Sequence, residues 1–155
     1  MSDIKDSGDG SLTLKGRWYI SLYGPDGQLK EEREGPNVIA TNGKEMLVQF
    51  LTSAISSATN TFRYIAIGTD STAEAAANTA LGTESSRHTG TVSYVSNQIY
   101  QVKATFATGS GTGNIREYGL FNSSSGGTML SRDVEAGVDK GANDTLTCTL
   151  QITVS

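Results

Sequence analysis

Apolar and polar positions alternate in two long segments of the chain. Leu12, Leu14, Trp18, Ile20 and Leu22 fall on even positions with Lys15, Arg17, Tyr19 and Ser21 between them, the period-two pattern of a strand with one buried face. Gly16 interrupts that pattern and is a candidate bulge. At the other end, Leu146, Cys148, Leu150, Ile152 and Val154 alternate without error with Thr145, Thr147, Thr149, Gln151 and Thr153. This predicts a strand with one face in the core and a threonine-covered outer face. After the first strand, Gly24-Pro25-Asp26-Gly27 is a turn: proline presets φ and the closing glycine accepts a positive one. A return strand is expected over 29–34, and its charged sequence QLKEERE places it at a sheet edge, where Lys and Glu discourage pairing with a foreign strand.

Beyond Gly35-Pro36 the period changes from two to 3.6. Met46, Leu47, Phe50, Leu51 and Ala54 form one stripe, and Asn42 followed by Glu45 has the form of a reciprocal cap, so the spacing predicts one short helix over about 42–54. A polar connection over 56–61 leads to a short buried strand over 62–68. Residues 69 to about 90 then read as a long loop of small and polar residues, anchored only by Ala73, Ala75, Ala76, Ala77 and Leu81. Loops of that length in a compact domain are usually functional or interaction elements, and the alanine run equally suits one turn of helix. Strands are expected over 92–106, 115–121, 129–134 and 145–154, with a glycine-rich tip at 109–113 and a turn at 123–127. Roughly seven strands and one helix predict a mainly β domain over 12–155, an antiparallel β-sandwich or open β-barrel.

Composition adds to this picture. Gly, Ser and Thr make up about a third of the chain, a composition of strands and loops. Residues 1–11 carry Asp3, Asp6 and Asp9 among Ser and Gly with Ile4 and little else to bury, and are expected to form an extended, flexible N-terminal arm. The same segment is polar and acidic where a signal peptide would be basic and then apolar, and no stretch is long and apolar enough for a membrane span. Net charge is −4 and the basic residues are scattered, which argues against direct nucleic-acid binding. No membrane partner and synthesis in the cytoplasm are the matching expectations.

Candidate chemistry is sparse. His88 is the single histidine and so the only imidazole for nucleophilic catalysis; in Ser85-Ser86-Arg87-His88-Thr89 it reads as an exposed or interface loop residue. Cys148 is expected in the core. The segment Gly109-Ser110-Gly111-Thr112-Gly113-Asn114 precedes a strand where a phosphate loop opens a helix, and Asp139-Lys140-Gly141-Ala142-Asn143-Asp144 lacks the ligand spacing of a calcium loop. The aromatic residues, spread over separate strands, read as packing. Glu117 stands apart: it lies in Ile115-Arg116-Glu117-Tyr118-Gly119-Leu120-Phe121 on the face shared by Ile115 and Phe121. An inward carboxylate accepts hydrogen bonds from backbone or arginine and braces the fold. No enzyme, metal or cofactor is expected.

The order of several segments carries a resemblance. Asn37-Val38-Ile39-Ala40-Thr41-Asn42-Gly43-Lys44-Glu45, Tyr64-Ile65-Ala66-Ile67-Gly68-Thr69, Thr79-Ala80-Leu81-Gly82-Thr83-Glu84, Glu117-Tyr118-Gly119-Leu120-Phe121-Asn122, Gly126-Gly127-Thr128-Met129-Leu130-Ser131-Arg132 and Asp144-Thr145-Leu146-Thr147 together resemble small structural proteins of tailed bacteriophages. Such proteins occur among capsid decoration (cement) proteins and among tail-fibre and baseplate components involved in host adhesion. The resemblance spans about residues 37–155. It implies a virion protein on the outer surface of the mature head, partnered by the major capsid protein and by itself as a homotrimer, that stabilises the capsid against DNA pressure. The short chain and the lack of heptads or fibre repeats favour decoration over the tail. Capsid contacts are expected from the arm, through Asp3, Ile4, Lys5, Asp6 and Asp9, and from the long loop, through Thr69, Asp70, Glu74, Leu81, Arg87 and His88.

Overall fold

The computed structural model describes residues 12–52, 54 and 56–155, so the expected arm lies outside the described residues. Two five-stranded antiparallel sheets face each other. The first has the order β2 (Leu29–Pro36), β1 (Leu14–Tyr23), β10 (Thr145–Val154), β7 (Ile99–Phe106), β6 (Thr91–Ser96). The second has the order β3 (Val38–Ile39), β9 (Met129–Lys140), β8 (Gly113–Phe121), β4 (Tyr64–Gly68), β5 (Glu84–Thr89). Two helices, α1 (Thr41–Leu51) and the single turn α2 (Ser57–Asn60), lie between β3 and β4. The sheets do not close into a barrel, and the fold is an open β-sandwich.

Alternation builds the core. Trp18, Ile20 and Leu22 of β1 and Leu146, Cys148, Leu150 and Ile152 of β10 point across the sandwich to Ile65, Ile67, Tyr118 and Leu120 of the second sheet. Trp18 and Tyr118 lie against each other with ring centroids 5.8 Å apart. The turn after β1 forms as expected: Gly27 donates its N–H to the Gly24 carbonyl at 2.9 Å, and its φ is +76°. The second sheet also buries its other face, where Ala66, Phe121 and Met129 form a small separate core with Ala40 and Leu81.

Several expectations are corrected. The described residues form ten strands where about seven were expected. The polar run Glu84–Thr89, read as loop, is edge strand β5, because β4 pairs with it from Tyr64↔Thr89 to Gly68↔Glu84. The span 92–106 is two strands, β6 and β7, turning back at Asn97 and Gln98. The glycine segment 109–113 is a crossover between the sheets, not a hairpin tip, since β7 and β8 belong to different sheets. Pairing runs through Gly16 without a shift; β1's irregularity lies at Leu22/Tyr23, and Gly16 makes room for the Asn37 side chain. The polar connection 56–61 contains α2.

Helix α1 also differs from its pattern. It begins at Thr41 after Ala40 with no side-chain cap, so the Asn42/Glu45 box does not form, and it ends at Leu51. Met46, Leu47 and Phe50 pack on the core, but Leu51 is 83% exposed and Ala54 is exposed too. Gly43 faces β9, where an added Cβ would lie 2.6 Å from the Leu130 Cα. Tertiary contact, rather than capping, holds this helix.

Candidate functional site

The outer face of the second sheet is lined by small residues where β4 and β8 run side by side. Ala66 pairs with Gly119 and Gly68 with Glu117. These positions let a loop descend onto the sheet: Leu81 sits over Gly119, and the Thr83 carbonyl and Glu117 carboxylate crowd Gly68. The loop is residues 69–83, shorter than the sequence pattern implied because β5 takes the rest. Its ends are tied by Thr69 N–H donating to the Thr83 carbonyl at 3.1 Å.

Beneath the loop lies a buried ion pair. Glu117 is fully buried and Arg132 is 3% exposed. The arginine donates to Glu117 Oε2 from Nε at 3.2 Å and from Nη2 at 2.9 Å. Glu117 also accepts backbone N–H groups from Thr83 at 2.7 Å, Gly82 at 2.8 Å and Asp70 at 3.3 Å. The remaining guanidinium hydrogens reach Asp70 Oδ2 at 3.1 Å, Asn78 Oδ1 at 3.0 Å and the Ala73 carbonyl at 3.5 Å. Each charge is therefore paired and hydrogen-bonded, the condition under which burial of an ion pair is tolerated. Asn78 Oδ1 further accepts the Ala75 N–H, and the Ala76 carbonyl accepts the Thr41 N–H at the start of α1. A segment with almost no regular structure is thus fixed at both ends and in the middle, with Ser71, Thr72, Ala75, Ala76 and Ala77 exposed on top.

The brace expected of Glu117 is present, but its face differs. Pairing between β8 and β9 shifts between Ile115 and Glu117. Ile115 joins the core between the sheets, whereas Glu117 lies with Phe121 under the loop.

The other loop candidates are dispersed. Thr69 is exposed; Asp70 and Glu74 are half-buried, Asp70 within the hub. Leu81 is buried in the small core. Arg87, on β5, lays its guanidinium over the Phe121 ring at 3.7 Å, grips Glu84 through two nitrogens at 2.9 and 2.7 Å, and donates to the Ser123 and Gly126 carbonyls. It ties the β8–β9 turn to the sheet edge. His88 is a strand residue, stacked on Phe106 at 4.6 Å, which corrects its reading as a loop histidine. Its Nδ1 lies 3.2 Å from the Thr105 carbonyl and its Nε2 2.8 Å from Ser110 Oγ, itself 2.9 Å from Ser86 Oγ. A backbone carbonyl occupies the place where a catalytic triad has its carboxylate. The chain of contacts latches the 109–113 crossover to β5. Asp3, Ile4, Lys5, Asp6 and Asp9 lie outside the described residues.

Two features escaped the sequence reading. On the inner face of β9, Ser131 Oγ and Asp133 Oδ2 are buried without a hydrogen-bond partner. Burial first, and then the negative charges of Glu135 and Glu74, push the Asp133 carboxyl up to about 8. At one end of the sandwich, two adjoining apolar cavities of about 550 and 290 Å³ share Leu14, Leu47, Phe50 and Val154. Among the described residues no cluster of His, Cys, Asp and Glu is arranged to hold a metal ion, and no helix is long and apolar enough to cross a membrane. Compared with family models, with curated protein sequences and with solved structures, the chain matches none.

Proposed function

We propose that this chain is a non-catalytic structural subunit of a tailed-bacteriophage virion, a decoration protein that binds the major capsid protein on the outside of the mature head. The observation that supports it best is the loop over 69–83, held from beneath by Glu117 and Arg132 and presenting small exposed side chains. A surface set in shape before binding loses less conformational freedom on docking, which favours a contact made many times over a lattice. Small side chains permit close approach to a neighbouring surface. A subunit that binds only the mature lattice stabilises it by mass action, by about 2.7 kcal/mol per site at a hundredfold excess over the dissociation constant.

The experiment is cosedimentation of the purified protein with expanded, undecorated heads, alongside Ala76→Arg and a form lacking residues 1–11. Saturable binding that Ala76→Arg weakens supports decoration through the loop. Weakening by the deletion adds the arm to the contact. No binding at micromolar concentration overturns the capsid reading and moves the protein to the tail fibre or baseplate.

A further inference from the structure

The sandwich is open along one side, where edge strand β2 of the first sheet faces β9 of the second. Strand β3 covers β9 only at Ser131 and Arg132, so from Asp133 onward β9 has no strand on its outer edge among the described residues. The chain crosses between the sheets here, through Asn37. Two glycines notch the first sheet on either side of Trp18: Gly16, two residues before it on β1, and Gly35, its partner on β2. Each notch holds a polar side chain. An added Cβ at Gly16 would collide with Asn37 Oδ1, and one at Gly35 with Glu135 Oε1. Gly35 is therefore a socket for a carboxylate that reaches across from the opposite sheet.

Asp133 stands two residues before Glu135 on the same face of β9, and its carboxyl hydrogen-bonds the Glu135 side chain. Two carboxylates are both acceptors, so one of the pair carries a proton. Asp133 is the better holder. It is 1% exposed, and its Oδ2 is buried with no donor to support a charge. Burial, followed by the charges of Glu135 and Glu74, disfavours its ionised form. The other groups around this layer do not relieve it. Arg33 of β2, paired with Ile20, is bonded to the Glu31 carboxylate and the Glu32 carbonyl. Tyr118, against Trp18, and Cys148 of β10 are held neutral by burial.

We propose that Asp133 and Glu135 form a proton-held clasp across the open side of the sandwich. While Asp133 is protonated it donates to Glu135 and keeps that carboxylate seated on Gly35. When the proton leaves, two like charges face each other, Glu135 turns to solvent and β2 lifts from β9. The opening is local, because β1 stays paired with β10 along its length. It does not rest on the capsid reading.

Trp18 is the single tryptophan of the chain, fully buried and paired with Gly35, so its emission reads the clasp. Acrylamide quenching of that emission is followed on the full chain between about pH 6 and about pH 9.5, with circular dichroism alongside. The expected result is a reversible rise in quenching of at least about twofold through about pH 8 with the sheet signal retained. Asp133→Asn keeps a donor to Glu135 at every pH, and Glu135→Gln supplies a donor to ionised Asp133. Both variants are expected to flatten the rise, and Glu135→Gln, at a half-buried position, serves where Asp133→Asn fails to fold. Quenching that stays flat in the wild type overturns the proposal, as does a rise that persists in either folded variant. A rise that comes only with loss of the sheet signal is global unfolding and overturns it too.

Discussion

Glu117 and Arg132 show how much of the loop's shape hangs on two side chains. A buried charge with its partner removed is expensive, typically about 3–5 kcal/mol. Arg132→Met is therefore expected to destabilise the protein by roughly that amount in urea unfolding, and Glu117→Gln with Arg132→Met together by less than the sum of the two. The same Arg132→Met variant should speed hydrogen exchange at the Gly82 and Thr83 amides, which donate to Glu117, while leaving the amides of β10 slow. Unchanged exchange at those two positions would show that the loop does not need the hub. Asp133 makes a different prediction. Burial, reinforced by Glu135 and Glu74, raises its carboxyl to about 8, above the ordinary value of about 3.9. Between those limits the folded state holds a proton that the unfolded chain releases. The stability from this group is present below about pH 4 and lost as pH rises through about 8, a fall on the order of a few kcal/mol. Asp133→Asn should flatten that slope in urea titrations between pH 4.5 and pH 9; an equal slope in the variant would assign the pH dependence elsewhere.

At the scale of elements, α1 is placed by packing. Gly43 allows its first turn to approach the β9 backbone at Leu130. Alanine there gains about 1 kcal/mol of helix propensity but forces helix and strand apart, and overpacking of this kind costs about 1–3 kcal/mol. Gly43→Ala is expected to lower the melting temperature, and a raised one would mean that the helix shifts freely on the sheet. The sheet edges divide by chemistry. Edge strand β2 carries Lys30, Glu31, Glu32, Arg33 and Glu34, with Glu34 bonded to Arg17 of β1, and was recognisable as an edge from its charges. Edge strand β5 hides its strand character because its anchors are polar: Arg87 stacks on Phe121, and His88 on Phe106, where an aliphatic residue would have signalled burial. A hydrophobicity pattern is blind to a strand whose anchoring residues, one on each face, are a guanidinium and an imidazole.

Across the whole molecule, the two sheets are woven from distant parts of the chain: β1 and β10 pair along their full lengths from Leu14↔Val154 to Tyr23↔Thr145, and β8 and β9 lie in the opposite sheet. This weaving decides what was legible. Strands β1 and β10, the turn at Gly24-Pro25-Asp26-Gly27, the charged edge β2, the bracing character of Glu117 and the core place of Cys148 followed from residues a few positions apart, because side-chain alternation and turn geometry are local properties. The partition into sheets, strand β5, the division of 92–106 into β6 and β7, and the meeting of Arg132 with Glu117 and the loop depended on pairings between residues far apart in the chain. So did the face on which Glu117 lies, since a register shift at Ile115/Glu117 turns it from the inter-sheet core to the loop. Period and turn chemistry by themselves determined that this chain is a mainly β protein with one short amphipathic helix. Only the tertiary structure decided which strands share a sheet, what covers each buried face, and that Glu117 lies under the loop, because those depend on pairs of surfaces whose second member comes from elsewhere in the chain.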